Sequence, residues 1–458
     1  MRYFIFLLFS FSSLCAQRSI SNGVVVQAVQ LEPGSDETFA IYLPRGYDES
    51  KTYPTVFMFE ASGDGAVAVQ QFTIGAELTG SIIVAPNTAV NDTLAVGLKK
   101  SAAFINAIYE RFAVDKSRII LAGNGKGALL ASSSAHLTPD IWGVIAMDDA
   151  YVDLSLLGRT KKTQFVIMNA DEGSNYYKLN TMGAFLRGKG VLAGFYIYEG
   201  KEEFPQSGYL ASALTSLLLR SNIAQTQIQA FYDNDLAFGD LLFKQQKPLA
   251  AHSFVNGLKA KYKKHIDDLS LQKDLFKKIK NSKNYKVQRN QRSAVREAEV
   301  LLAEDFQYYL EEDVNNAYFD NLSWWNYQMG ELDAKIDSTA RYEQERKAAI
   351  RLKKYIQGAT ESKYQEIKKG STKIAQLLFV NVLRTLVNPK NLDAFIQAIS
   401  YSAQEGDANA ALFYLEELLK MGYADYEALY EIEGTTALRI SEEYNQIIKA
   451  YLGASKFY

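Results

Sequence analysis

Few side chains in this sequence are equipped for chemistry. It contains one cysteine, Cys15, and three histidines, His136, His252 and His265. A disulfide framework is excluded, and so is a zinc site built on several Cys and His ligands. Carboxylates gather after the apolar runs of the first half: Asp148, Asp149, Asp171, Glu202 and Glu203. Converging carboxylates can hold calcium, but this spacing reads as solvated loop acids, with no metal and no cofactor. One glycine-rich turn stands out, Gly123-Asn124-Gly125-Lys126-Gly127. A dinucleotide loop has the form G-x-G-x-x-G and follows a first strand. Here the third glycine comes one residue early and the turn lies deep in the domain, and the Walker pattern is absent. Glycine there fits a tight strand-to-helix turn that needs unusual dihedrals. The histidines read as surface or capping groups, and Lys126 as a solvent-facing charge.

The elements that position these residues are legible from periodicity. Residues 24–31 and 37–43 form an antiparallel opening pair around the Pro33-Gly34 turn. Near-continuous apolar runs follow at 54–60, 81–86, 118–122, 141–147, 163–169 and 193–199. Such runs, separated by helical spacers, predict a parallel sheet covered on both faces. The spacers 95–112, 126–135 and 207–222 have helical spacing.

This pattern resembles an α/β-hydrolase of the esterase or dienelactone-hydrolase-like branch. IYLPRGYDESKTYPTVFMF (41–59) resembles the family's entry into its third strand, and RIILAGNGKGALLA (118–131) its fifth strand, nucleophile turn and following helix. The resemblance covers residues 22–222 and implies a doubly wound, eight-stranded α/β domain. It also assigns the triad positions. The family turn is G-x-S-x-G with the nucleophile at its apex; here the apex is Gly125, which has no atom to attack a carbonyl. A shift of register gives Asn124 or Lys126, and neither is an activated nucleophile. Asp171, beside Glu172, matches the acid after the seventh strand. The base should follow the eighth strand, where this chain reads Glu199-Gly200-Lys201-Glu202-Glu203-Phe204-Pro205, so that Glu202 stands near the histidine's place. A carboxylate does not replace an imidazole that takes a proton near pH 7. Glu60, after the third strand, would repel an oxyanion unless it points away. The catalytic set therefore reads as a degenerate triad at Gly125, Asp171 and Glu202.

From about residue 226 the strand signal stops. Helices are expected at 226–245, 248–264, 269–281, 293–313, 322–336, 340–366, 371–387, 391–405, 408–421, 425–439 and 441–452, in antiparallel pairs. AISYSAQEGDANAALFYLEELLKMGYAD (398–425) resembles a tetratricopeptide-repeat (TPR) segment, its turn at Gly406-Asp407. Trp324 and Trp325 read as packing residues. Thirteen basic residues fall in 259–296 against Asp267, Asp268 and Asp274, and 281–292 reads as an exposed connection. That segment suits an acidic partner, an anionic glycan or lipid headgroups.

The whole chain, 458 residues with a net charge of -2, shows no global field for nucleic acid. Met1 to Ala16 reads as a secretory signal peptide cleaved after Ala16, its apolar stretch too short to span a bilayer; a lipoprotein signal at Cys15 is the lesser alternative, because Leu14 is poor before the cysteine. The Cys15-Ala16-Gln17 ending resembles signal peptides common in the Bacteroidetes. No later apolar run suggests a transmembrane helix. The domains expected are the signal peptide at 1–16, the hydrolase-like domain at 22–225, a helical domain at 226–390 and TPR-like helices at 391–458. The function expected is that of an exported, non-catalytic pseudo-hydrolase that binds or scaffolds protein partners in an envelope complex, whether periplasmic, surface-associated or secreted. An esterase- or peptidase-like hydrolase with an unconventional site is the alternative, and a purely structural envelope component a third.

Overall fold

The computed structural model describes residues 20–138, 140–151, 163–200, 204–337, 343–370 and 373–458. The expected signal peptide, with Cys15, lies outside the described residues, as do Glu202 and Glu203. The first half runs β1 (Val25–Gln30), β2 (Thr38–Tyr42), β3 (Tyr53–Phe59), α1 (Gly65–Thr79), β4 (Ile82–Pro86), α2 (Leu94–Arg111), β5 (Val114–Asn124), α3 (Lys126–Leu137), β6 (Ile141–Met147), β7 (Gln164–Ala170), α4 (Tyr176–Gly188), β8 (Leu192–Tyr198) and α5 (Ser207–Leu218). Eight strands form one sheet in the order β1-β2-β4-β3-β5-β6-β7-β8. β1 and β2 pair antiparallel, as do β2 and β4, whereas β3 is parallel to β4 and β5, and β7 to β8. This is the α/β-hydrolase-like arrangement, and an all-helical region follows it. Every strand matches its expected range within a few residues, and α1 and α4 are additions. The central strands are apolar on both faces because helices cover both; β1, at one edge, mixes Val and Ala with Gln27 and Gln30 and stays half wet.

The described residues pack as two compact units. The described parts of Met1–Ile145, Tyr151–Gln164 and Gln206–Ser221 form the first; those of Ala146–Ala150, Phe165–Pro205 and Asn222–Tyr458 form the second. In the first, Phe39, Phe57 and Phe104 meet edge to face in the core. α1 crosses α5 so closely that a Cβ on Gly75 would lie 3.2 Å from the Ala211 Cα. The tightest approach is α3 on β3. A Cβ on Gly127 would sit 1.9 Å from the Phe59 carbonyl oxygen, and one on Gly123 would sit 2.2 Å from the Gly127 carbonyl oxygen. The two outer glycines of the turn are thus steric requirements of the fold.

The second unit continues through α6 (Gln225–Lys244), α7 (Pro248–Tyr262), α8 (Ser270–Asn281), α9 (Lys283–Asn316), a 3-10 turn (Phe319–Asn321), α10 (Leu322–Ile336), α11 (Glu343–Gly370), α12 (Ile374–Val387), α13 (Leu392–Gln404), α14 (Ala408–Lys420), α15 (Tyr426–Glu431) and α16 (Glu442–Leu452). Trp325 is fully buried and stacks on Phe306 at 5.6 Å, while its indole N–H donates to Asp313 at 2.8 Å, as its reading as a packing residue required. Two expectations fail. Residues 281–292 are not a connection: α9 starts at Lys283, capped by the Ser282 hydroxyl, which accepts from the Tyr285 N–H at 3.2 Å. Its polar composition hid a helix that contains no Gly or Pro and is held on one side by buried Tyr285. Residues 425–439 are not one helix either, because α15 stops at Glu431 and Gly434 takes a φ of 79°.

Gly127→Ala should cost about 3 kcal/mol or more, since its methyl would strike backbone that cannot step aside. Urea denaturation checks this against Gly188→Ala, where a Cβ meets nothing within 4 Å; equal midpoints for the two variants would refute the close approach.

Candidate functional site

The glycine-rich turn lies in the first unit. β5 ends at Asn124, Gly125 caps α3 with φ 53° and ψ -120°, and its carbonyl accepts the Ala128 and Leu129 N–H groups at 3.0 and 3.2 Å. That conformation is strained for any residue with a Cβ and free for glycine. α/β-hydrolases raise a nucleophile on a sharp, strained strand-to-helix turn; this turn too joins a strand to a helix through a positive φ. A Cβ on Gly125 would meet nothing within 4 Å, so the apex has room for a side chain and carries none. Lys126 is exposed, as expected.

The loop after β3 belongs to the same unit. Gly127 packs against Phe59, and Glu60 comes next. Glu60 is buried, and its carboxylate turns back into its own loop, accepting the Ser62 hydroxyl at 2.7 Å and the Asp64 N–H at 2.9 Å. Burial works to raise its pKa. Hydrogen bonds from Ser62, Asp64 and Gly63 outweigh that and hold it below the ordinary carboxylate range. Successive backbone N–H groups in such a turn form an anion-binding nest. Here the chain's own carboxylate fills it, so Glu60 neither points away nor simply repels an anion.

The acidic groups lie in the second unit. Asp148, 5% exposed and with a φ of 60°, accepts the Ala170 N–H at 2.8 Å and the Tyr198 hydroxyl. Asp149 pairs with Lys178 at 2.5 Å. Asp171 accepts the Gly200 N–H at 3.1 Å on one carboxylate oxygen and Lys347 Nζ at 2.9 Å on the other, while Arg351 donates to its carbonyl at 2.9 Å. Arg346 reaches buried Glu172 at 3.2 Å. Arg351 also forks onto buried Glu299 at 2.6 and 2.7 Å, and Tyr177 donates to Glu299 at 2.7 Å. Burial, then Glu299, push the Tyr177 phenol far above its usual range. Burial lowers the Lys347 pKa, but Asp171, Glu199 and Glu343 more than reverse that and raise it.

These side chains correct the expectation of solvated loop acids. Asp148 and Glu172 are buried, and Asp149 and Asp171 are largely covered and paired, because α11 and α4 bring cations to them. Among the described residues no group of three or more His, Cys, Asp or Glu could hold a metal. The histidines are half-buried rather than surface groups. His252 stacks on Tyr285 at 4.4 Å and meets Phe276 at a tilt at 4.7 Å, and His136 meets Tyr151 edge-on at 6.0 Å. Lys347, Arg351, Glu299 and Tyr177 were not anticipated as a set. Their one sequence signal is the Lys347 and Arg351 pair, one helical turn apart on the helix expected at 340–366.

No family model matches the chain, and no curated protein matches it. Solved structures resemble its first part. A serine-to-alanine mutant of the feruloyl esterase module from Clostridium thermocellum, complexed with sinapinate, matches with TM-score 0.34 and 14% identity, over 44% of this chain and 88% of that one. Thermogutta terrifontis esterase 2, phosphoramylated by tabun, matches with TM-score 0.32 and 16% identity, over 43% and 91%. A putative dipeptidyl aminopeptidase IV from Bacteroides ovatus matches with TM-score 0.32 and 14% identity, over 43% and 36%. The strand order itself carries the fold.

Two predictions follow from these contacts. Arg351→Met should destabilise the protein by about 3–5 kcal/mol, because it strands the buried Glu299 carboxylate. The double variant with Glu299→Leu should recover much of that loss in urea melts, and no recovery would refute the pairing. Glu60, with its folded pKa depressed, stabilises the fold above its unfolded value of about 4.3. That contribution disappears as pH falls through the folded value. Glu60→Gln should therefore cost stability at neutral pH and reduce the acid dependence, measured as melting temperature against pH.

Proposed function

We propose that this chain is an exported, non-catalytic pseudo-hydrolase that binds or scaffolds a protein partner in a bacterial envelope complex. The observation that carries the reading is Gly125, a bare apex on a strand-to-helix turn with a positive φ of 53°. Catalysis there would need an attacking atom, an imidazole to take its proton and free N–H donors for the oxyanion. The apex supplies no attacking atom, Glu60 occupies donors of the neighbouring loop, and Asp171 has both carboxylate oxygens engaged. The degenerate triad at Gly125, Asp171 and Glu202 belongs to this proposal. So does a TPR-like role for α13 and α14, where the Asp407 carboxylate accepts the Ala410 N–H at 2.9 Å and Gly406 takes a φ of 82° at the turn. Antiparallel helix pairs of that kind build partner surfaces by fold analogy.

Protein lacking residues 1–16, given short-chain p-nitrophenyl esters and a fluorophosphonate probe, should show no turnover above buffer and no labelling. Gly125→Ser should still fold at a cost of about 1–3 kcal/mol, since the strain is backbone strain and the side chain has space. Ester turnover by the unaltered protein that Gly125→Phe abolishes would overturn the proposal in favour of a hydrolase with an unconventional site.

A further inference from the structure

The helices α7, α8 and α9 of the second unit carry a charged face that the hydrolase comparison does not touch. Of the thirteen basic residues in 259–296, Lys261 turns inward, its side chain largely covered and paired with buried Asp235 at 2.7 Å. The other twelve are exposed: Lys259, Lys263 and Lys264 around the end of α7, four lysines on α8, and Lys283, Lys286, Arg289, Arg292 and Arg296 on α9. Only three acids lie in the same segment. Nearby pairing is sparse: Lys278 reaches Asp240 at 3.3 Å, and Arg292 donates to the Tyr176 hydroxyl at 3.2 Å. The field is felt by His252, whose pKa is lowered by burial and then by Lys280 and Arg289. In a chain with a net charge of -2, this is a strong local excess.

The layout of the cations says what would fit. Lys283 and Arg292 stand nine residues apart, about two and a half turns of helix, so they leave α9 on opposite sides, with Lys286 and Arg289 stepping between them. The stripe from Lys283 to Arg296 is about 20 Å long and winds around the helix. A flat lipid surface meets one side of a helix, whereas a flexible chain can follow the winding. Polar amides and hydroxyls alternate with the cations, with Asn281, Asn290 and Ser293 exposed among them. Apolar anchors are few: Leu271 on α8 and Val287 on α9 are the exposed large apolar side chains of 259–296. Cations for carboxylate or sulfate, interleaved with hydrogen-bonding groups for hydroxyls, match an acidic sugar polymer better than a peptide that must seat side chains in pockets.

We infer that the winding basic face of α8 and α9 binds a linear acidic polysaccharide. This ligand site uses none of the residues of the glycine-rich turn, and it stands whether or not the chain is catalytic.

The test is binding of the full chain to polygalacturonate and dextran sulfate, with neutral dextran, polyglutamate and phosphatidylglycerol vesicles as comparisons. The acidic polysaccharides should bind, neutral dextran should not, and binding should weaken as salt rises. The charge reversal Lys286→Glu/Arg289→Glu/Arg296→Glu should reduce affinity at least about tenfold while leaving the melting temperature near the parent value, because all three side chains are exposed. Lys99→Glu/Lys390→Glu/Lys449→Glu makes the same change in net charge on exposed residues elsewhere and should leave binding within about twofold. Equal losses in both triple variants, equal or tighter binding to polyglutamate or vesicles, or no binding to either acidic polysaccharide would each overturn the inference.

Discussion

The ion pair between Arg351 and Glu299 is the contact on which the second unit depends. Both side chains are buried, and the guanidinium meets the carboxylate at two points, 2.6 and 2.7 Å apart. Removing two charges from water costs several kcal/mol for each ion, recovered only if nearly every donor and acceptor is used. Here the accounting is nearly complete: Glu299 also accepts from Tyr177, Arg351 also donates to the Asp171 carbonyl, and its guanidinium lies 4.7 Å from the Tyr176 ring centre. One turn earlier on α11, Lys347 completes Asp171, and Arg346 reaches Glu172. The loop after β7 is thereby tied to α11 and α9 by charge rather than by apolar contact alone. A carboxylate committed in this way serves architecture, whatever position it holds in a triad.

The fold could be read from the sequence wherever one physical signal acted alone. Runs such as PTVFMF and RIILA are buried on both faces, so their apolar continuity marked β3 and β5 without ambiguity. α9 was missed over 283–292 because its periodic signal there is thin: Tyr285 is buried, while Lys286 to Asn290 are mostly exposed. A helix that packs on one narrow side gives periodicity little to detect. In 425–439 the error was the opposite. Apolar residues recur at helical spacing, but the strand of chain around Gly434 turns where its φ is positive.

At the site, residue identity was legible and pairing was not. Glycine at position 125 can be read directly, because an absent side chain is a local fact. That Asp171 is completed by Lys347 depends on a contact spanning 176 residues, which no local pattern encodes. The same holds for Glu60. Its charge suggested repulsion of an anion, but burial together with hydrogen bonds from its own loop makes it the anion.

The three glycines of the turn separate the needs of a fold from those of a reaction. Gly123 and Gly127 are forced by backbone that would lie within about 2 Å of any Cβ. Gly125 is under no such pressure, since open space surrounds its Cβ position and only its dihedrals favour glycine. A nucleophile at that point costs backbone strain, which is tolerated where chemistry repays it. With glycine the strain is relieved, and the turn still delivers α3 against β3. Close packing of strand on helix demands that conformation by itself, with or without a side chain at the apex.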